Sequence, residues 1–236
     1  MRLSDLILSH SLADLSEGKV LINTVNAWSF VVAQSDEEFA EALGGGDALI
    51  PDGKSIVWAC KFMKLESSPE RRIAGWDLFS FEMEKLNCKG GKCFFMGSSE
   101  KVLKLIKERA AEDYPNIVVE TYSPPYKAVF SDEDSRAMMD VINAADPDLL
   151  WIGMTAPKQE KWTYEHWDEL KIHCHCGTIG AVFDFYAGTV KRAPLWMQKA
   201  GLEWFYRLCS DPKRLWRRYV SGNVKFINLI IREKLS

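Results

Sequence analysis

Short apolar runs alternate along this chain with longer stretches in which apolar residues return every three or four positions. The runs "KVLINTVN" (19–26), "DALI" (47–50), "KCFFMG" (92–97), "NIVVETY" (116–122), "PDLLWIG" (147–153) and part of "KIHCHCGTIGAVFDF" (171–185) have the length and apolar content of buried strands. Between them, "SDEEFAEAL" (35–43), a segment from about Lys54, "GWDLFSFEMEKL" (75–86), "SSEKVLKLIKERAAEDY" (98–114), "SDEDSRAMMDVINAA" (131–145) and "APKQEKWTYEHW" (156–167) read as helices. Ser35, with Glu38 three residues on, predicts the cap of the first. This alternation predicts an α/β fold, a mostly parallel sheet flanked by helices. Polar residues follow several of the strands, at the sheet end where such folds take their ligands.

From about Pro194 the pattern is helical only. We therefore divide the chain into an α/β core, 1–193, and a helical C-terminal appendage, 194–236. In "PKRLWRRYVSGNVKFINLIIREKLS", Trp216, Tyr219, Val220, Val224, Ile227, Ile230 and Ile231 share one side of a helix. Arg214, Arg217, Arg218, Ser221, Lys225, Asn228 and Arg232 fall on the other. A basic amphipathic helix of this kind either packs on its own domain or lies on an anionic membrane surface. Gly222 weakens it locally.

Charge sharpens this picture. The net charge is -3, yet residues 190–236 hold 11 Lys and Arg against 3 Asp and Glu, whereas residues 1–189 hold 19 against 30. An acidic body with a basic tail predicts an anionic partner for the tail. With 47% hydrophobic and 27% charged residues, the composition is that of a globular protein. No run of about 18 apolar residues predicts a membrane span, and no secretion signal is evident at the N-terminus. The six cysteines lack disulfide-framework spacing, which suits a reducing cytosol.

The chain contains no Walker phosphate loop, GxGxxG, HExxH or GxSxG. "DPD" (146–148) resembles a metal-binding DxD but reads better as a helix-to-strand turn. "HCHC" (173–176) would put Cys174 and Cys176 on one face of a strand and the histidines on the other, a pattern of core cysteines. "CKGGKC" (88–93) reads as a turn. In "ALIPDGKSIVW" (48–58), Asp52 sits in a Pro-Asp-Gly corner between strand and helix. It either caps that helix or is a carboxylate held over the sheet end.

The polar islands "TVN" (24–26), "PDG" (51–53), "RRIAGWD" (71–77), "GMTAPKQE" (153–160), "GAVFDFYAG" (180–188), "RAP" (192–194) and "GLEWFYRL" (201–208) resemble, in combination, the WecG/TagA/CpsF family, glycosyltransferase family 26. The similarity runs from about Val20 to Arg218. One departure is Thr155, where the family's loop carries Gly or another small residue. The resemblance implies a bacterial, inverting glycosyltransferase of surface-polysaccharide synthesis, with no metal or other cofactor. It implies transfer of a sugar, with N-acetylmannosamine or its uronic acid favoured, from a UDP-sugar to a polyprenyl-diphosphate-linked sugar. The enzyme would be cytoplasmic, held peripherally at the inner face of the membrane by its C-terminal helix. A homo-oligomer is left open, and no nucleic-acid partner is expected.

Inverting transfer needs a base for the acceptor hydroxyl and positive charge for the departing diphosphate. Asp52 is the candidate base, and the resemblance points to it too, with Thr24 as the other candidate catalytic residue. Thr24 and Asn26 end the first strand, where they can hold sugar or diphosphate oxygens. Arg72 can face a phosphate, and Gln159 and Asp184 the nucleotide or sugar. Arg207, Arg214, Arg217 and Arg218 of the tail carry the planar donor forks that suit phosphate oxygens. The competing readings are a nucleotide- or RNA-binding module with a basic tail, and a nucleotide-dependent dehydrogenase. The tail's large aliphatics, rather than stacking aromatics, count against the first. The missing glycine fingerprint counts against the second.

Overall fold

Six strands form one sheet, and every pairing in it is parallel. They are β1 (Val20–Val25), β2 (Ala48–Pro51), β3 (Gly91–Gly97), β4 (Ile117–Tyr122), β5 (Leu149–Gly153) and β6 (His175–Thr178), in the order β2-β1-β6-β5-β3-β4. The structure is a computed structural model that describes residues 1–235, with the side chains of Lys199 and Arg214 outside the description. The loops after β3 and β5, neighbours in the sheet, leave in opposite directions, which opens a crevice at the C-terminal ends of the strands.

The central strands β3 and β5 are apolar because both their faces are covered, whereas the edge strand β4 is partly exposed, at Val118 above all. Cys93, Phe95, Leu149 and Trp151 face one layer, packed with Leu78, Phe79 and Met83 of α4 (Gly75–Lys89), Leu103 and Ile106 of α5 (Glu100–Asp113), and Phe183 of α8 (Gly180–Tyr186). Phe94, Met96, Leu150 and Ile152 face the other, with Met138 and Ile142 of α6 (Asp132–Ala145) and Trp162 of α7 (Lys158–Glu165). A third cluster covers the β1–β2 edge, using α1 (Ala27–Ala33), α2 (Glu37–Gly44) and α3 (Lys54–Met63).

Two local readings change. The cap of α2 is Asp36, not Ser35: its side chain accepts from Phe39 N, and it sits one residue nearer the periodic stretch. Helix α1 has no counterpart among the predicted elements, because "AWSFVVA" is apolar nearly throughout and shows no helical alternation. Its signal is polar: Asn26 and Ser29 form a reciprocal capping box.

The region after Pro194 is helical: α9 (Leu195–Ala200), α10 (Glu203–Ser210), α11 (Pro212–Trp216), a π-helical turn (Arg217–Ser221) and α12 (Gly222–Leu235). Helix α12 packs on α1, with Phe226 and Ile230 buried in the third cluster and the Phe226 ring edge-on to Phe30 at 5.6 Å. The helical wheel placed Ile230 with Ile227 and Ile231 on one apolar side and did not use Phe226, whereas Ile230 is buried with Phe226 while Ile227 and Ile231 are exposed. The π turn shifts the register of α12 relative to α11, so one wheel does not serve both, and within α12 it is the contact with α1 that selects Phe226 and Ile230. Trp216, Val224, Ile227 and Ile231 remain exposed. Among the described residues, no helix is long and apolar enough to cross a membrane.

Candidate active site

A cleft of about 1760 Å³ lies over the C-terminal ends of the strands and is roofed by α10, the π turn and α12. Its floor is built by strand ends. Thr24 is the penultimate residue of β1, Thr178 closes β6, and Ser98, Ser123 and Met154 follow β3, β4 and β5. Of the sequence candidates, Thr24, Asn26, Asp52, Arg72, Gln159, Asp184, Arg207 and Arg218 all line it. Arg217 is exposed and does not line the cleft, and the Arg214 side chain lies outside the described residues.

The corner that holds Asp52 follows from sheet pairing. Pro51 is opposite Val25, and Asp52 N donates to Val25 O at 2.8 Å, so the strand hydrogen bonding carries one residue beyond β2. Gly53 then adopts φ 150°, a region costly for any side chain, and starts α3 with no side-chain cap. The Asp52 carboxylate is therefore not spent on the helix. It opens partly to the cleft, with protein close around it. That burial pushes its carboxyl above the ordinary carboxylate range. Arg72, Arg218 and Arg207 pull the other way, and Glu203 adds to the upward push. A carboxyl tuned upward and facing a cleft is suited to accept a proton.

The other candidates divide. Asn26 uses Oδ1 to accept from Trp28 N and Ser29 N, so Nδ2 is the part able to serve a ligand. Gln159 is buried rather than on an exposed helix face. Its Oε1 accepts from Met154 N at 3.1 Å and its Nε2 donates to Glu160 at 2.8 Å, which holds the loop after β5. Gly180 leaves room for that loop, since a Cβ there would press on Met154 O and on Gln159 Oε1. Asp184 lies on α8 and accepts from the Thr189 hydroxyl at 3.3 Å.

Three cleft residues escaped sequence reasoning. Glu160 is buried and its carboxyl is pushed up to about 7 by that burial. Oε1 has Gln159, while Oε2 has no hydrogen-bond partner among the described residues. Arg192 stacks its guanidinium 4.6 Å from the Trp76 ring centre. Glu203 makes an ion pair with Arg72 at 3.3 Å. All three stand inside motifs already quoted, "APKQE", "RAP" and "GLEWFYRL"; what was missing was their contact partners.

The decoys are accounted for at the other end of the sheet. Asp146 ends α6 in a left-handed conformation and Asp148 accepts from Lys92 N at 2.7 Å, so "DPD" is a turn. Gly90 and Gly91, both with positive φ, make "CKGGKC" a turn. Cys174 and Cys176 are core residues, and among the described residues no three His, Cys, Asp or Glu side chains are grouped to hold a metal.

A parallel α/β sheet with a deep cleft over its strand ends, a raised carboxyl on the floor and arginines around it has the site of an enzyme handling an anionic substrate. Residues 4–236 match the glycosyl transferase WecG/TagA/CpsF family, and the chain belongs to that family. It is a glycosyltransferase. A Bacillus subtilis relative, 31% identical over 91% of this chain and 80% of its own length, is an N-acetylglucosaminyldiphosphoundecaprenol N-acetyl-beta-D-mannosaminyltransferase. Relatives bearing the same name in Bacillus spizizenii (30% identical, 94% of this chain and 82% of theirs) and Staphylococcus aureus (26%, 87% and 78%) are also similar to it.

Proposed function

We propose that this enzyme transfers N-acetylmannosamine from its UDP conjugate to N-acetylglucosamine carried on a polyprenyl diphosphate, with inversion. The observation that carries the reading is Asp52: an upward-tuned carboxyl, not used as a helix cap, on the floor of an arginine-lined cleft. Asp52 takes the proton of the acceptor hydroxyl as that oxygen attacks the anomeric carbon. The bond from that carbon to the diphosphate breaks, and UDP leaves. Thr24 and the Asn26 amide hold sugar or phosphate oxygens beside Asp52. Gln159 and Asp184 border the nucleotide or sugar. Arg72, Arg207 and Arg218 meet the growing charge on the diphosphate, so no metal is required for that task.

The names of the relatives support the acceptor and the sugar. The exposed Trp216, Ile227 and Ile231 support a tail that rests on the bilayer where such an acceptor resides, with Lys225 and Arg232 toward anionic headgroups. The test is transfer from UDP-N-acetylmannosamine to a synthetic N-acetylglucosamine–diphosphate lipid, with and without excess EDTA. A disaccharide lipid with inverted linkage, formed equally in both, is the expected product. Better turnover of another UDP-sugar would reject the donor. Loss in EDTA restored by magnesium or manganese would reject metal independence.

A further inference from the structure

Arg72 and Arg192 both belong to the core and both line the cleft, and Glu203, from the first turn of α10, sits between them. Arg72 Nη1 and Nη2 donate to Glu203 Oε2 at 3.4 and 3.3 Å, and Arg192 Nε stands 3.7 Å from Oε1. Charge-assisted bonds between guanidinium and carboxylate usually close to about 2.7–2.9 Å. The side chains are partly shielded, at 22%, 19% and 16% exposure for Arg72, Arg192 and Glu203, and the Arg192 Nε atom is buried with no hydrogen-bond partner among the described residues. One carboxylate is a small anion for the space between two guanidiniums. A diphosphate, with more oxygens over a longer span, can reach both at bonding distance. It cannot share the space with Glu203 without strong like-charge repulsion in a shielded site.

We propose that Arg192 joins Arg72 in a subsite for the donor's diphosphate, and that Glu203 is a placeholder anion which the diphosphate displaces. The proposal rests on the nucleotide-sugar reading above, through its diphosphate alone. Glu203 ties α10 to the core, so its displacement makes donor arrival loosen one ionic link between appendage and core.

The test is calorimetric titration of the full-length protein with inorganic pyrophosphate, UDP and uridine. Glu203→Gln should bind pyrophosphate and UDP on the order of three- to tenfold more tightly, because the competing charge is gone. Arg192→Gln should bind them about tenfold more weakly, the loss expected for one charged hydrogen-bonding group. Uridine affinity should not change in either. Weaker or unchanged pyrophosphate binding by Glu203→Gln would make Glu203 a fixed clamp and overturn the placeholder. Unchanged binding by Arg192→Gln would remove Arg192 from the subsite. If Glu203→Gln melts early, Glu203→Met, which likewise removes the charge at similar length, must show the same tightening, and the Arg192 arm still decides. Wild-type protein that binds pyrophosphate, with these variant effects, yet prefers another nucleoside diphosphate to UDP would refute the uridine donor and leave the subsite standing. UDP preference without the variant effects would do the reverse.

Discussion

Asp52 shows how a single residue can be placed by its neighbours and tuned by strangers. Its corner depends on Pro51 and Gly53, adjacent in the chain, and was visible as a motif. Its raised carboxyl depends first on burial and then on Arg72, Glu203, Arg218 and Arg207, none of which is local. Asp52→Asn should lower transfer on the order of 10²–10⁴-fold while UDP affinity stays within a few-fold, measured with lipid-linked acceptor. The same tuning has a sign for stability. An acid whose carboxyl is raised in the folded state destabilises that state once the pH passes its unfolded value, and the penalty reaches its full size above the folded value. At pH 7 the Asn variant, which carries no charge to bury, should melt at or above the wild-type temperature. A marked drop in melting temperature would show that the carboxylate is a structural partner.

At the scale of elements, two contacts decide how segments are held. His175 on β6 has Glu82 Oε1 of α4 at 3.0 Å from Nδ1 and the Ser16 carbonyl at 2.8 Å from Nε2. Two acceptors favour the doubly protonated ring, and the bond to Glu82 raises the pKa of His175 despite its burial. A raised histidine stabilises the fold fully below its unfolded value, near 6.5, and that contribution is lost as pH rises through the folded value. His175→Gln should therefore cost more in melting temperature at pH 6 than at pH 9; an equal cost at both would deny the charged pair. The second contact is Phe226 of α12 against Phe30 of α1. Phe226→Ala should destabilise by about 3–5 kcal/mol, measured by urea unfolding, as for other large buried side chains. A loss under 1 kcal/mol would mean that α12 docks too weakly to be part of the core.

For the whole molecule, the appendage both roofs the cleft and closes the third core cluster. Removing everything after Asp211 would expose that cluster, so truncation confounds stability with membrane binding. Exposed positions separate the two. Trp216→Ser, Ile227→Ser and Ile231→Ser combined should leave the melting temperature within a few degrees of wild type. Sedimentation with anionic vesicles should fall by tenfold or more, given about 1.5–3 kcal/mol for each large apolar side chain buried. Undiminished vesicle binding would reject the membrane role of this face. The layered architecture was readable because each strand carries its own burial signal. The roof was not, because a helical wheel cannot say which neighbour a face will meet.

What the sequence determined by itself is whatever neighbouring residues settle: the strand and helix alternation, the Pro-Asp-Gly corner, and the polar islands that belong to one family. What the tertiary structure decided is whatever needs atoms distant in the chain. Arg72 meets Glu203 across 131 residues, and His175 meets Glu82 across 93. Gln159 is buried and holds a loop, and packing on α1 decides that Phe226 and Ile230 of the tail face the core. Desolvation and Coulomb energy depend on everything within a few ångströms, whatever its position in the sequence. Local propensity extends over a turn or two of chain, so it marks where a carboxylate stands and not how readily that carboxylate takes a proton.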